Sequence, residues 1–233
     1  MSKRRQPVWL FDLDNTLHNA SHEVFGALNV AMTRYIEREL GVDTAEANRL
    51  RAQYWARYGA TLIGLVRHHG VDAAHFLRVT HALPGLEGGL HTHAHDLAAL
   101  KRLKGRKVLL TNAPLAYALR VLKALKMRRC FDSVLALEHM AMFGELRPKP
   151  DRRMFRYIAA RLKVPPWRCI LVEDTLIHQK TAHGLGMGTA WMQRWAARST
   201  HGPEAGLALK RRPVYVRQRI ASLGALRPEE CGR

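Results

Sequence analysis

Between residues 107 and 192, short apolar runs alternate with amphipathic helical stretches, and this alternation constrains the fold more than any other feature of the chain. Strands are expected at 107–110, 133–137, 169–172 and 189–192, with helices at 114–126, 151–163 and 176–185. Strand and helix in strict succession make crossover units, and such units build a parallel sheet covered by helices on both faces. Another strand stands much earlier, where Val8-Trp9-Leu10-Phe11 follows Pro7 and runs straight into Asp12. An apolar run ending in a carboxylate reads as a buried strand that delivers charge to the carboxyl edge, where open α/β sheets collect their chemistry. Asp12 and Asp14 cannot both stay ionised at close range there without a cation or a shared proton, and a bound Mg²⁺ would resolve the conflict. On these residues alone, an ordinary polar turn with a helix N-cap accounts for Asp-Leu-Asp-Asn-Thr equally well.

Residues 18–88 have a different texture. Helical patterns fill 21–40, 44–58, 61–69 and 72–83, with Gly41, Gly59 and Gly70 as stops and Pro84 after the last. Four helices without a strand read as a helical cap domain inserted into a core made of 1–17 and 89–233, with residues 85–89 as the return hinge. The expected architecture is therefore α/β: a doubly wound, mostly parallel sheet with a Rossmann-like core and an inserted helical cap. Beyond Trp195 the pattern weakens, and a short strand at 214–216 and a helix over 219–226 are the remaining candidates.

A chain of 233 residues has room for such a core and insertion, and a 47% apolar content with clear periodicity excludes disorder. No run of about 18 apolar residues is present, so no membrane span is expected. The basic start, 1–6, leads directly into strand and motif rather than into a signal-like stretch, which points to a cytoplasmic protein. Cys130, Cys169 and Cys231 are too few and too scattered for a disulfide framework or a zinc site. Lys and Arg total 38 against 19 Asp and Glu, and the net charge of +19 draws anions, whether phosphorylated substrates or nucleic acid. The basic residues are spread along nearly every segment, with a modest concentration at Lys210-Arg211-Arg212. That spread favours a solvated basic surface over a nucleic-acid reader.

Each later strand also ends in polar residues suited to one reaction. Strand 107–110 ends in Thr111-Asn112, whose hydroxyl and amide can bind phosphate oxygens beside a helix start. Lys149 stands between Pro148 and Pro150, which restrict the backbone and so aim the ammonium. Strand 169–172 ends in Glu173-Asp174-Thr175, a second acidic pair.

In this order, Asp12-x-Asp14-x-Thr16, Thr111-Asn112, Lys149 between prolines and Glu173-Asp174 resemble the motifs of the haloacid dehalogenase-like hydrolase superfamily, over roughly residues 8–195. The stretch Tyr58-Gly-Ala-Thr-Leu-Ile-Gly-Leu65, with His81-Ala-Leu-Pro84 and Leu171-Val-Glu-Asp-Thr175, is similar to the pyrimidine 5′-nucleotidase branch. The resemblance implies an Mg²⁺-dependent phosphomonoester hydrolase acting on a pyrimidine nucleoside 5′-monophosphate. Asp12 would be the nucleophile that takes the phosphoryl group, and Asp14 the acid and base, with its backbone carbonyl on the metal. Asp174 would complete the ligands, with Glu173 bound through water or orienting them. Thr111 and Lys149 would hold the phosphoryl oxygens, assisted by Asn112. An acid at position 14 favours phosphoester chemistry, since relatives that cleave carbon–halogen or carbon–phosphorus bonds lack it. Two other readings stay in view: a phosphatase for sugar phosphates or phosphoglycolate, and a non-enzymatic nucleic-acid-binding module using the basic surface.

Several features have plainer readings. Tyr54 and Tyr58 are candidate substrate contacts in the cap, against a packing role. His18 either lines the mouth of the site or is a polar loop residue. His91, His93 and His95 point to different faces and read as solvated. Gly184, Gly186 and Gly188 follow a helix and precede a strand, the reverse of a dinucleotide loop, and read as a helix stop and turn.

Overall fold

Val8–Phe11 forms strand β1, every residue of it buried, because apolar neighbours cover it on both faces of a sheet. The computed structural model describes residues 6–22, 24–195 and 212–227. In it β1 lies between β2 (Arg106–Leu110) and β6 (Cys169–Glu173), parallel to both, with Val8 opposite Arg106 on one side and Cys169 on the other. Strands β3 (Ser133–Leu135), β7 (Gly188–Met192) and β8 (Gln218–Ile220) complete a six-stranded sheet ordered β3-β2-β1-β6-β7-β8. All its pairings are parallel. The chain builds outward from β1 to β2 and β3, then returns to the other side of β1 for β6. The strand order therefore reverses at the carboxyl end of β1, where open α/β sheets place their ligands.

Helices α5 (Ala94–Arg102), α6 (Leu115–Ala124), α7 (Arg152–Arg161) and α8 (Leu176–His183) connect these strands. Asp151 caps α7, its carboxylate accepting from the backbone amides of Arg153 at 2.6 Å and Met154 at 3.2 Å. Trp9 is fully buried in β1, and its indole N–H donates to the Lys104 carbonyl at 2.9 Å.

Several sequence expectations shift. α5, which the alternation between 107 and 192 does not reach, starts after His93 with no side-chain cap, and the Thr92 hydroxyl just before it donates to the Leu17 carbonyl at 2.9 Å. Residues 141–146 carry a small antiparallel hairpin, β4 (Ala141–Met142) and β5 (Glu145–Leu146), too short to leave any periodic pattern. The strand expected at 214–216 is a turn, closed by the Val216 amide on the Pro213 carbonyl at 2.9 Å. The last strand forms later, at β8. A 3₁₀ turn over Leu223–Ala225 replaces the expected helix at 219–226. Lys210, Arg211 and Cys231 lie outside the described residues; Cys130 and Cys169 are buried free thiols. Among the described residues no helix is long and apolar enough to cross a membrane.

The chain divides into two compact units, one of Met1–Ser21 with Leu90–Arg233 and one of His22–Gly89. The second contains α1 (Val24–Leu40), α2 (Thr44–Tyr58), α3 (Thr61–His69) and α4 (Ala73–Thr80). Asp43 and Asp72 cap α2 and α4 by accepting from the amides of Glu46 and His75. Gly59 and Gly70 end α2 and α3 in left-handed conformation. Tyr35, Ile36, Leu50, Tyr54, Leu65 and Phe76 form its interior. Here α3 crosses α2 so closely at Gly64 that any side chain would overlap the Tyr54 ring. Gly64→Ala is therefore expected to destabilise the helical unit by about 2 kcal/mol, because overpacking in a close-packed site outweighs the gain in helix propensity. A fall of roughly 4–8 °C in the melting temperature would register it.

Candidate active site

The carboxyl ends of β1, β2 and β6 converge on one buried cation. Lys149 is 1% exposed, and its Nζ donates to Asp12 Oδ1 at 2.7 Å and to Glu173 Oε2 at 2.6 Å. Asp12 follows β1 directly, its amide held by the Val172 carbonyl at 2.9 Å, and its second oxygen accepts from the Thr16 hydroxyl at 3.3 Å. Lys149 arrives on the segment between Pro148 and Pro150, with a cis bond to Pro150. That segment is fastened to the end of β2 by Asn112. The Asn112 amide donates to the Lys149 carbonyl at 3.0 Å, and its oxygen accepts from the Lys149 amide at 2.9 Å. Both ends of the side chain are thus engaged with backbone, so Asn112 orients the segment that carries the lysine. Arg147 braces the same loop through Asp151 at 3.2 Å.

Glu173 is 1% exposed and ties the lysine to β6. Its other oxygen accepts from the Thr175 amide at 3.2 Å, and its main-chain carbonyl accepts from Gln179 at 2.9 Å. His178 Nδ1 lies 3.1 Å from Glu173 Oε2, close enough for charge to matter but not aligned as a hydrogen bond. These contacts fix the orientation of Glu173 against the lysine. Asp174 is set beside it by Trp191, whose indole N–H donates to the Asp174 carbonyl at 2.7 Å. Thr111 is buried next to Asp12. Its oxygen accepts from the Ala113 amide at 3.0 Å, which leaves the hydroxyl proton to donate.

Asp14 is treated differently from Asp12. Its Oδ1 accepts from the Tyr117 hydroxyl at 2.7 Å and lies 2.9 Å from His18 Nε2. The side chain keeps 21% of its surface open while His18 is fully buried. His18 Nδ1 meets no partner, so the tautomer that fits places the proton on Nε2, donating to Asp14. His18 is therefore a support for Asp14, neither of the roles its sequence context suggested. Directly after Asp14, Asn15 adopts a left-handed φ of 56° and clasps Ser21, whose amide donates to its oxygen at 3.0 Å. Asn tolerates that conformation better than most residues, and the clasp fixes the turn that carries the chain on from Asp14.

Asp12, Glu173 and Asp174 each present an oxygen within 4.8 Å of the others. Three carboxylates share one ammonium, and the imbalance is felt by each. Burial, reinforced by the charge on Glu173, pushes Asp12 up to about 7 despite Lys149. Burial and the charges of Glu173 and Asp12 drive Asp174 well above the usual carboxylate range, against the pull of Lys149. For Glu173 burial also acts upward, but Lys149 and His178 hold it below its ordinary value. Lys149 loses to burial and gains more from Asp12 and Glu173, so it stays charged. A cluster of hard oxygen donors that cannot all ionise around one ammonium fits a divalent cation such as Mg²⁺, which would take the place of the protons. Asp14 places its carboxylate outside this cluster, so any contact with the ion would fall to its main-chain carbonyl.

The remaining sequence candidates lie elsewhere. Tyr54 is an interior residue of the helical unit, bonded to His69 at 2.7 Å, and its buried ring has no face left for a ligand. Tyr58 is half-buried, bonded to His68 at 2.6 Å and flanked by the guanidinium groups of Arg57 and Arg67. His93 stacks on His95 and Trp195, with ring centroids 5.1 and 5.6 Å away, and none of the three joins an acidic cluster. Tyr117 and Trp191 were invisible as site residues, because only the winding of the sheet brings them to these carboxylates.

A model of the haloacid dehalogenase-like hydrolase family matches residues 8–183. Phosphate metabolism protein 8 of Saccharomyces cerevisiae is 26% identical over 192 residues, 78% of this chain, and the chain spans 60% of that relative's length. The crystal structure of CbbY from Rhodobacter sphaeroides in complex with phosphate superposes with a TM-score of 0.61 at 20% identity, over 94% of this chain and 96% of that one. HAD phosphatase from Thermococcus onnurineus gives 0.59 at 21% identity, over 93% and 94%. At such identities the two structures speak to the fold, which they share. The family match runs from β1 to α8 and takes in every carboxylate, the lysine and the threonine described above. The chain belongs to the haloacid dehalogenase-like hydrolase family.

Proposed function

We propose that the chain hydrolyses phosphate monoesters by way of a phosphoryl group carried on Asp12, and that its substrate is a pyrimidine nucleoside 5′-monophosphate. The observation that carries the reaction class is the division of roles between two acids of one turn. Asp12 is buried against Lys149, whereas Asp14 stands partly open and is held by Tyr117 and His18. A nucleophile has to be fixed and shielded; an acid and base has to reach both the leaving group and water.

In this reading an Asp12 oxygen attacks phosphorus, the ester oxygen departs with the bonding pair, and Asp14 gives it a proton. Water then attacks the acyl phosphate while Asp14 takes the proton back, which releases phosphate and restores Asp12. Thr16 fixes the rotation of the Asp12 carboxylate, and the Thr111 hydroxyl and Lys149 ammonium face the charge that builds on the phosphoryl oxygens. Asp12, Asp174 and the main-chain carbonyl of Asp14, with Glu173 behind them, would hold Mg²⁺. Bound there, the ion would neutralise charge between an anionic nucleophile and an anionic ester.

Phosphate release from a panel of nucleotides, sugar phosphates and phosphoglycolate with Mg²⁺ tests the reading, with Asp12→Asn protein as the blank. Release confined to UMP and CMP supports both parts. A profile led by a sugar phosphate or phosphoglycolate keeps the reaction and replaces the substrate. The pyrimidine assignment rests on the stretches at 58–65, 81–84 and 171–175. Tyr58 is the helical-unit residue proposed to meet the base, since Tyr54 is consumed by packing. Tyr117→Phe is expected to lower kcat about tenfold with KM unchanged, because it loosens Asp14 without touching the groups that bind phosphate.

A further inference from the structure

The charge of +19 is not shared between the two units. Residues 22–89 contain seven arginines and seven carboxylates, so the whole excess belongs to the α/β unit. Within that unit many of the cations gather at one sheet edge and the acids at the other, where Arg147, Lys149 and Arg194 are ion-paired to them and Arg152 and Arg153 stand alongside. All six strands run the same way, so every connection entering a strand lies at one edge and every connection leaving lies at the other. The entry to β2 carries Lys101, Arg102, Lys104, Arg106 and Lys107, and the entry to β3 carries Lys126, Arg128 and Arg129. Arg161, Lys163 and Arg168 precede β6, and Arg212 and Arg217 precede β8. The acids stand opposite: Asp12, Asp14, Glu138, Asp151, Glu173 and Asp174 all follow strand ends. Asp132, before β3, is the exception among the described residues, and its Oδ2 accepts from the Lys107 amide at 2.7 Å.

Several of these cations bond to backbone. Arg106 reaches the Leu162 carbonyl at 3.2 Å, Arg128 that of Phe131 at 3.3 Å, and Arg168 that of Gln6 at 2.9 Å. Such bonds fix the groups without cancelling their charge. Lys101, Arg102, Lys126, Arg129, Arg161 and Lys163 are exposed, and no carboxylate among the described residues pairs with them. Strand spacing makes the row from β3 to β8 about 24 Å long. Set into it, between Lys163 and Arg168, is Trp167, 55% exposed. Arginine outnumbers lysine along the row, and its planar fork matches phosphodiester oxygens. A flat aromatic ring among arginines gives unpaired bases a surface to stack on. A lipid surface of the same charge is usually met by an amphipathic helix with an apolar outer face, and none of these entries is one.

We propose that this strand-entry edge is a binding surface for single-stranded nucleic acid, with the entries to β2, β3 and β6 on the phosphodiester backbone and Trp167 stacked on a base. The strands put it about 15 Å from the catalytic carboxylates, so a bound strand leaves them open. The inference does not depend on the hydrolytic reading.

The test is fluorescence anisotropy of a fluorescein-labelled oligouridylate of about 12 nucleotides, titrated with the full chain over a range of KCl concentrations. Arg129→Glu/Arg161→Glu/Lys163→Glu is expected to weaken binding at least about 30-fold and to flatten the logarithmic salt dependence by about 2, one ion-release increment per lost phosphate contact. Trp167→Ala is expected to weaken binding about tenfold and leave the salt slope alone. Arg34→Glu/Arg67→Glu/Arg78→Glu, on the helical unit, is the charge-matched control and should change little. Circular dichroism and melting temperature show that each variant is folded. Absence of binding at about 50 mM KCl would overturn the proposal. So would equal weakening by the control triple, or capture of phosphatidylserine vesicles with no binding of the oligonucleotide.

Discussion

Asp12→Asn is expected to abolish phosphate release from every ester, by a factor of about 10⁴ or more, and at the same time to yield a metal-free protein that melts higher than the wild type at pH 8. The first half follows from the proposed role of Asp12, since an amide cannot take the phosphoryl group. The second follows from electrostatics. The folded protein holds the Asp12 carboxyl at about 7, against 3.8 for a free carboxyl, chiefly through burial and the charge of Glu173. A raised acid favours folding while protonated. Its contribution is fully present below pH 3.8 and is lost as pH rises through 7. Metal-free wild-type protein should therefore lose stability from acid to neutral pH, and the asparagine variant should lose less. At pH 8 the difference is expected to be about 4 °C or more by differential scanning calorimetry. Mg²⁺ should reverse the order, stabilising the wild type more as pH rises because the ion replaces protons on the cluster.

Lys149→Met carries the other large effect. The methionine fills much of the same volume but leaves Asp12 and Glu173 facing each other, buried and without a counter-charge. Breaking a buried ion pair from one side costs about 3–5 kcal/mol, far more than the pair itself contributes. The variant should melt roughly 6–20 °C lower at neutral pH and recover part of the loss at pH 5, where protons take over from the ammonium. Turnover should fall at least about 10³-fold, since the same cation faces the transferring group. Lys149→Arg is not expected to rescue it. A guanidinium is wider than an ammonium, and a site 1% exposed has no room for the fork. A melting temperature unchanged at both pH values would show that Lys149 is not the charge that balances the cluster.

Most of the sheet was legible because β1, β2, β6 and β7 each have both faces buried, so their apolar runs are continuous and end where charge begins. The clustered carboxylates, Thr111 and Lys149 were legible for the same reason, each standing just beyond such a run or between two prolines. The supports were not. Tyr117 meets Asp14 from the first turn of α6, and Trp191 holds Asp174 from the next strand; neither type nor spacing marks them as anything but core. Asn112 was legible as an assistant to Thr111 and Lys149, but its bonds to the backbone of residue 149, far away in sequence, were not. The terminal strand β8 escaped since Gln218-Arg219-Ile220 has a single apolar residue, and its burial comes from neighbours far away in sequence. The spatial grouping of charge was not legible either. A basic residue in nearly every segment looks diffuse along the chain, but parallel strands bring each strand's entry to the same edge.

The central position of β1 also sets a timetable. Its partners begin at Arg106 and Cys169, so the strand that carries Asp12 is translated long before either neighbour exists. At ordinary ribosomal speeds roughly 8–30 s separate Asp12 from Asp174. During that interval the helical unit, whose contacts are close in sequence, has everything it requires. The most apolar strand of the other unit meanwhile waits with both edges unpaired. Folding of the sheet is therefore governed by distant contacts and should be the slow step. The strand that holds the proposed nucleophile is also the one most exposed to wrong pairing until β6 emerges.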